Sequence, residues 1–84
     1  MPPKTQEEIL QWVRSALKTN FHLDPRSVRM DSNLFTDLGL DSIDEVELAQ
    51  HMQEYTGRRL APEEFRVLCT VEDVVVSVQK MLEA

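Results

Sequence analysis

Ser42 is the residue with the most chemistry gathered around it. It stands in Asp37-Leu38-Gly39-Leu40-Asp41-Ser42-Ile43-Asp44, a hydroxyl between carboxylates with a Leu-Gly step just ahead. As a catalytic nucleophile it fails. A nucleophile elbow needs glycines flanking the serine, and here Ile43 and Asp44 follow it. No histidine is placed by sequence to act as its base. A chain of 84 residues buries only roughly 60–65% of its unfolded surface, which leaves no room for a large enclosed catalytic cleft. As a calcium loop the segment also fails. Counting from Asp31, Phe35 falls where a ligand is required and Thr36 where the loop requires glycine. Cys69 is the only cysteine, so neither an internal disulfide nor a multi-cysteine metal site is available, and His22 and His51 are too few for a zinc cage. The expectation is a protein that is not an enzyme and holds no metal.

The charge around Ser42 is one-sided. Residues 30–57 contain Asp31, Asp37, Asp41, Asp44, Glu45, Glu47 and Glu54 and no Lys or Arg, so the net charge of −6 comes from one third of the chain. Such an acidic chain is a poor ligand for phosphate backbones or anionic bilayers, so neither nucleic acid nor stable membrane insertion is expected. On a helix, Asp44, Glu47 and Glu54 fall near one solvent face, with Glu45 to the side. Acids near a helix N-terminus suit the macrodipole, which accounts for Asp41, Asp44 and Glu45 but not for Glu54. The pattern reads either as a solvated helix face or, more sharply, as a docking surface that steers basic partners. Ile43 and Val46 are apolar at positions outside the buried stripe of that helix, as transient contacts require.

Helices must position these groups. Thr5 and Glu8 form a capping box, and Ile9, Trp12, Val13, Ala16, Leu17 and Phe21 recur at helical spacing until His22. Residues 22–41 form a long connection with turn chemistry at Asp24-Pro25 and Asp31-Ser32-Asn33. Its apolar Val28, Leu34, Phe35, Leu38 and Leu40 pack it down. A second helix starts at Asp41 or Ser42, buries Leu48, Ala49, Met52 and Tyr55, and ends at Thr56-Gly57. Pro62 opens a short third helix through Phe65 or Arg66. Thr70 caps the last, with Asp73 in the reciprocal position and Val71, Val74, Val75, Val78, Met81 and Leu82 as its stripe. No segment keeps strict two-residue alternation, so strands are not expected. The fold class is all-α, a bundle of three longer helices and one short one, in a single domain over residues 1–84. Trp12 and Cys69 read as packed residues, His51 as a surface residue, and His22 as a partner of the helix dipole.

The segment around Ser42 resembles the attachment motif of the acyl carrier protein family, in its discrete bacterial type. Those proteins have Asp-Ser-Leu at the start of the second helix, preceded by Leu-Gly. Val46-Glu47-Leu48, Thr70-Val71-Glu72-Asp73 and the order of helices extend the likeness over nearly the whole chain. The resemblance implies a four-helix acyl-carrier bundle in which Ser42 receives 4′-phosphopantetheine from coenzyme A through a phosphopantetheinyl transferase. The terminal thiol of the arm then holds acyl groups as thioesters for fatty-acid or polyketide-like synthesis. It also implies docking roles for Asp41, Ile43, Asp44, Val46, Glu47 and Glu54. The implied partners are acyltransferase, ketosynthase, reductase and dehydratase-type enzymes with basic patches. Leu48, Ala49, Met52 and Tyr55 would line the core against which an acyl chain is sheltered.

Departures point to a dedicated pathway of polyketide-like or aryl-polyene-like type. Ile43 stands where the family usually has Leu, and Gln50, His51 and Gln53 dilute the acidity of the second helix. Arg58-Arg59 place positive charge after it, and Phe65 with Val67-Leu68 make the third-helix region more apolar. Gly39-Leu40-Asp41 leans away from peptide-line carriers, which tend to have Gly-Gly and then His or Asp. Two alternatives stay open: an unmodified helical interaction scaffold, and an aminoacyl or peptidyl carrier. Residues 1–8 lack the apolar segment of a signal peptide and no apolar run reaches membrane-spanning length, so a cytoplasmic monomer is expected.

Overall fold

Thr5 opens the first helix, α1 (Gln6–Phe21), by accepting the Glu8 N–H at 3.2 Å on its hydroxyl. The structure, a computed structural model, describes residues 5–83; residues 1–4 and 84, which the expected 1–84 boundary and the signal-peptide reading include, lie outside the described residues. α1 ends where His22 takes a left-handed conformation (φ 59°), a region in which His is tolerated better than most residues. The chain reverses there, and the Leu23 N–H reaches back to the Leu17 carbonyl at 3.3 Å. His22 is thus the C-cap itself, a more specific role than dipole partner.

The connection that follows is folded onto the bundle. A 3₁₀ turn occupies Pro25–Ser27, capped by Asp24, and the Arg14 Nε donates to the Val28 carbonyl at 2.9 Å. Ser32 is buried but satisfied: its hydroxyl accepts from the Arg29 N–H and donates to the Ser27 carbonyl. Next the loop pairs with the start of the last helix. Leu34 N–H donates to Cys69 O (2.8 Å), Val71 N–H to Ser32 O (3.0 Å) and Glu72 N–H to Met30 O (2.9 Å), around an isolated antiparallel bridge between Asn33 and Thr70. No strand forms among the described residues. The Cα radius of gyration is 11.7 Å, against about 12 Å expected for a compact chain of this length, so the loop adds no sprawl.

The second helix, α2, runs Ser42–Thr56 and stops at Gly57, whose φ of 69° a side chain would strain. The third, α3, is Pro62–Arg66, and the fourth, α4, is Val71–Glu83. Val71, Val74, Val75 and Val78 are fully buried. Burial of each contributes roughly 1.5 kcal/mol or more, against about 0.5 kcal/mol of lower helix propensity, so packing outweighs the poor helix formers. They meet Ile9, Val13 and Leu17 of α1, Leu48 and Met52 of α2, and Val28, Leu34, Leu38 and Leu40 of the long loop in one core.

Two contacts fix the helix directions. Gln6 at the start of α1 bonds Gln79 near the end of α4 (Nε2 to Oε1, 3.1 Å), and Trp12 in the first half of α1 stacks on Tyr55 at the end of α2. α1 is therefore antiparallel to both, and α2 and α4 run the same way. The all-α bundle with three longer helices, one short helix and a long first loop is the architecture expected from the sequence.

Candidate functional site

Ser42 is the first residue of α2 and is exposed. Its hydroxyl makes no hydrogen bond among the described residues. Helix initiation falls on its neighbours. The Asp44 N–H donates to Asp41 Oδ1 at 2.9 Å, and the Asp41 N–H donates to Asp44 Oδ2 at 3.2 Å, a reciprocal capping box that encloses Ser42 and Ile43. The Glu45 N–H is taken by the Asp41 carbonyl at 2.9 Å. Both aspartates, expected as docking acids, thus have backbone work of their own, and Asp44 is only partly exposed.

The approach to Ser42 is set by a second reciprocal pair. The Asn33 N–H donates to Asp37 Oδ2 at 2.7 Å and the Asp37 N–H donates to the Asn33 carbonyl at 3.1 Å, while Asn33 Oδ1 accepts from the Phe35 and Thr36 N–H groups (2.9 and 3.0 Å). This tight turn ends at Gly39, with φ 72° and nothing within 4 Å of where a Cβ would stand. Gly39 is needed for its backbone conformation, not for close approach. The chain then reverses, and the Leu40 N–H donates to the Leu34 carbonyl at 2.9 Å, which ties the residue before Asp41 to the core. Sequence reasoning placed turn chemistry at Asn33 but missed the Asn33–Asp37 pairing, although Asn and Asp four residues apart before a glycine carry that signal.

The face of α2 beside Ser42 presents Ile43 at 78% and Val46 at 50% exposure, with Glu47 and Glu54 exposed as well. Glu45 lies on the other side of the helix, half-buried, and burial pushes its carboxyl above the usual range. His51, read from the sequence as a surface residue, is also half-buried: its Nδ1 lies 3.9 Å from Glu54 Oε2, and its Nε2 is buried with no partner among the described residues. Cys69 reverses the other way and is exposed, because only its backbone is used: its carbonyl accepts from Leu34 and its N–H donates to Asp73 Oδ2 at 3.0 Å.

A phosphate-bearing group on Ser42 fits this local geometry. The N–H groups of Ser42 and Ile43, at the helix start, have no intrahelical acceptor, and the helix N-terminus favours an anion. The carboxylates of Asp41 and Asp44 oppose it in part. The expected acyl shelter is less apparent. Leu48, Ala49 and Met52 are buried in the core, whereas Tyr55, expected in the same buried stripe, is only partly buried against it. One surface cleft of about 660 Å³ lies between the α2–α3 connection, α3 and α4, and another of about 410 Å³ between α1 and α2. Tyr55 lines the second; Leu48, Ala49 and Met52 line neither.

Comparison with known proteins covers the segment that holds Ser42. Residues 11–75 match the family model described as "Phosphopantetheine attachment site". A relative from Ralstonia nicotianae named "Acyl carrier protein 2" is 50% identical over 80 residues, covering 95% of this chain and 99% of the relative. An "Acyl carrier protein" from Prochlorococcus marinus is 38% identical over 80 residues, 95% of each chain. A "Meromycolate extension acyl carrier protein" from Mycobacterium tuberculosis is 31% identical over 81 residues, 96% of this chain and 70% of its own length.

Proposed function

The chain belongs to the acyl carrier protein family, and we propose that Ser42 is the residue that bears its 4′-phosphopantetheine. The observation that carries this reading is the freedom of the Ser42 hydroxyl. It is exposed at the first position of a rigid helix and unbonded, because Asp41 and not Ser42 caps α2. The chain is a carrier and not an enzyme; it supplies a nucleophile at a fixed place and direction. In the attachment step the Ser42 oxygen forms the new bond to phosphorus as the nucleotide part of coenzyme A departs. The Ser42 proton passes to a base of the transferase. When bound, the arm supplies a terminal thiol that holds an acyl group as a thioester.

The exposed face of Ile43, Val46, Glu47 and Glu54 supports docking of synthase enzymes with basic, apolar-centred patches, because exposed carboxylates steer encounter while the two apolar side chains give contact. Asp41 and Asp44 add charge there beside their capping role. The finer set belongs to the same proposal: a phosphopantetheinyl transferase, and acyltransferase, ketosynthase, reductase and dehydratase-type enzymes acting on a one-domain monomer. A cytoplasmic setting is supported by the exposed lone thiol of Cys69, which a reducing compartment tolerates. No helix among the described residues is long and apolar enough to cross a membrane.

The carrier reading is tested by loading. The arm-bearing protein charged with an acyl group is expected to release it to neutral hydroxylamine, as a thioester does. An acyl group that survives hydroxylamine, or that loads equally on Ser42→Ala, contradicts it.

A further inference from the structure

Arg58-Arg59 and Val67-Leu68 are departures that the carrier role leaves unused, and the fold brings them to one cleft. Its volume of about 660 Å³ is in the range of small-molecule sites, roughly 300–1,000 Å³. Its apolar lining is Val67, Leu68, Val76 and Met81, all flexible or branched aliphatics, and no aromatic side chain lines it. Val67 is 69% exposed there, an apolar residue left facing solvent at the cleft.

The charge along the cleft is segregated. Glu72 and Asp73 belong to the first turn of α4 and Lys80 to the last, about 10 Å away along the helix axis. Because α2 and α4 run the same way, Arg58 and Arg59, which follow α2, come in at the Lys80 end. Glu64 lines the cleft from α3. Asp73 is already committed, its carboxylate accepting from the Cys69 and Thr70 N–H groups. Among the described residues neither Arg59 nor Lys80 has an ion-pair partner, although the chain carries 15 acids to nine bases. One end of an aliphatic trough therefore holds two basic side chains, Arg59 and Lys80, that no described carboxylate pairs. A guanidinium and an ammonium lining the same end suit a planar, monovalent oxyanion.

We propose that this cleft is a binding site for a single-chain aliphatic carboxylate, with the tail along Val67, Leu68, Val76 and Met81 and the head at Arg59 and Lys80. The site is independent of the arm. Its head end, at Arg59 and Lys80, lies at the far end of α2 from Ser42, and the 15 residues of that helix separate the two by about 22 Å.

The test uses the full chain as Ser42→Ala, so it does not depend on the attachment reading. Amide NMR is followed while dodecanoate is added below its aggregation concentration, with dodecyltrimethylammonium as the control of equal tail and opposite charge. Saturable shifts centred on Val67, Val76, Lys80 and Met81 are expected. Arg59→Glu with Lys80→Glu, both exposed and remote from the core, should leave the melting temperature unchanged and weaken dodecanoate at least tenfold. Equal affinity for the cationic control, unsaturable shifts, or shifts centred on Leu48 and Met52 would overturn the proposal.

Discussion

Asp41 and Asp44 hold each other's backbone across Ser42, through hydrogen bonds of 2.9 and 3.2 Å. Ser42, the proposed attachment residue, is thereby relieved of any part in starting its helix. The same two acids set the local field, so stability and recognition are joined at these positions and must be separated by the choice of variant.

Removing the cap is expected to cost stability where removing the serine does not. Asp41→Ala should lose about 1 kcal/mol, which for a domain this small lowers the melting temperature by roughly 4–8 °C. Ser42→Ala should melt like the parent, because its hydroxyl bonds nothing among the described residues. Thermal melts by circular dichroism check both, and a Ser42→Ala loss as large as that of Asp41→Ala would assign the cap wrongly.

Electrostatic docking is best read at Glu47 and Glu54, which are exposed and make no cap. Glu47→Lys and Glu54→Lys should slow arm transfer several-fold at low salt and much less at high salt, since a Debye length of about 10 Å at 0.1 M shrinks to about 3 Å at 1 M. Losses independent of salt would remove charge steering from the account.

Trp12 and Tyr55 stack with centroids 4.3 Å apart and planes 14° from parallel. A double-mutant cycle with Trp12→Leu and Tyr55→Leu in urea unfolding should give a coupling of about 1 kcal/mol. Additive effects would mean that the rings touch without supporting the α1–α2 contact.

Asp73 carries a pH signature. The N–H groups of Cys69 and then Thr70 hold its carboxyl below the usual aspartate range. A depressed folded-state pKa gives stability that is complete above the unfolded value and is lost as pH falls through the folded one. Between about pH 4 and the lower folded value, the parent should therefore lose stability more steeply than Asp73→Asn, which should be less stable at pH 7. Unfolding free energies across that range, with parallel slopes for the two proteins, would contradict the assignment.

Local chemistry made much of this legible in the sequence. The Thr5 and Thr70 caps, the valine stripe of α4, the glycine stop at Gly57 and the entry at Pro62 each depend on residues within four positions of one another. What stayed hidden depends on distant ones. Leu34 meets Cys69 across 35 residues, and nothing local in either shows that the Cys69 backbone, not its thiol, is what the fold uses. The half-burial of His51 is hidden from the sequence for a related reason. The stripe of Leu48, Ala49 and Met52 is legible in the sequence, but how far burial spreads to the flanks of α2 depends on what packs beside them. The cleft beside Arg59 and Lys80 is assembled from three segments, so its parts were visible as oddities and its shape was not.

The account rests on Ser42, and intact mass tests it most directly. The purified chain and Ser42→Ala are incubated with coenzyme A, magnesium and a broad-specificity phosphopantetheinyl transferase. A gain of one phosphopantetheine on the parent and none on Ser42→Ala is the predicted result. The same gain on Ser42→Ala, or none on a folded parent even with the transferase of its own source, would contradict it.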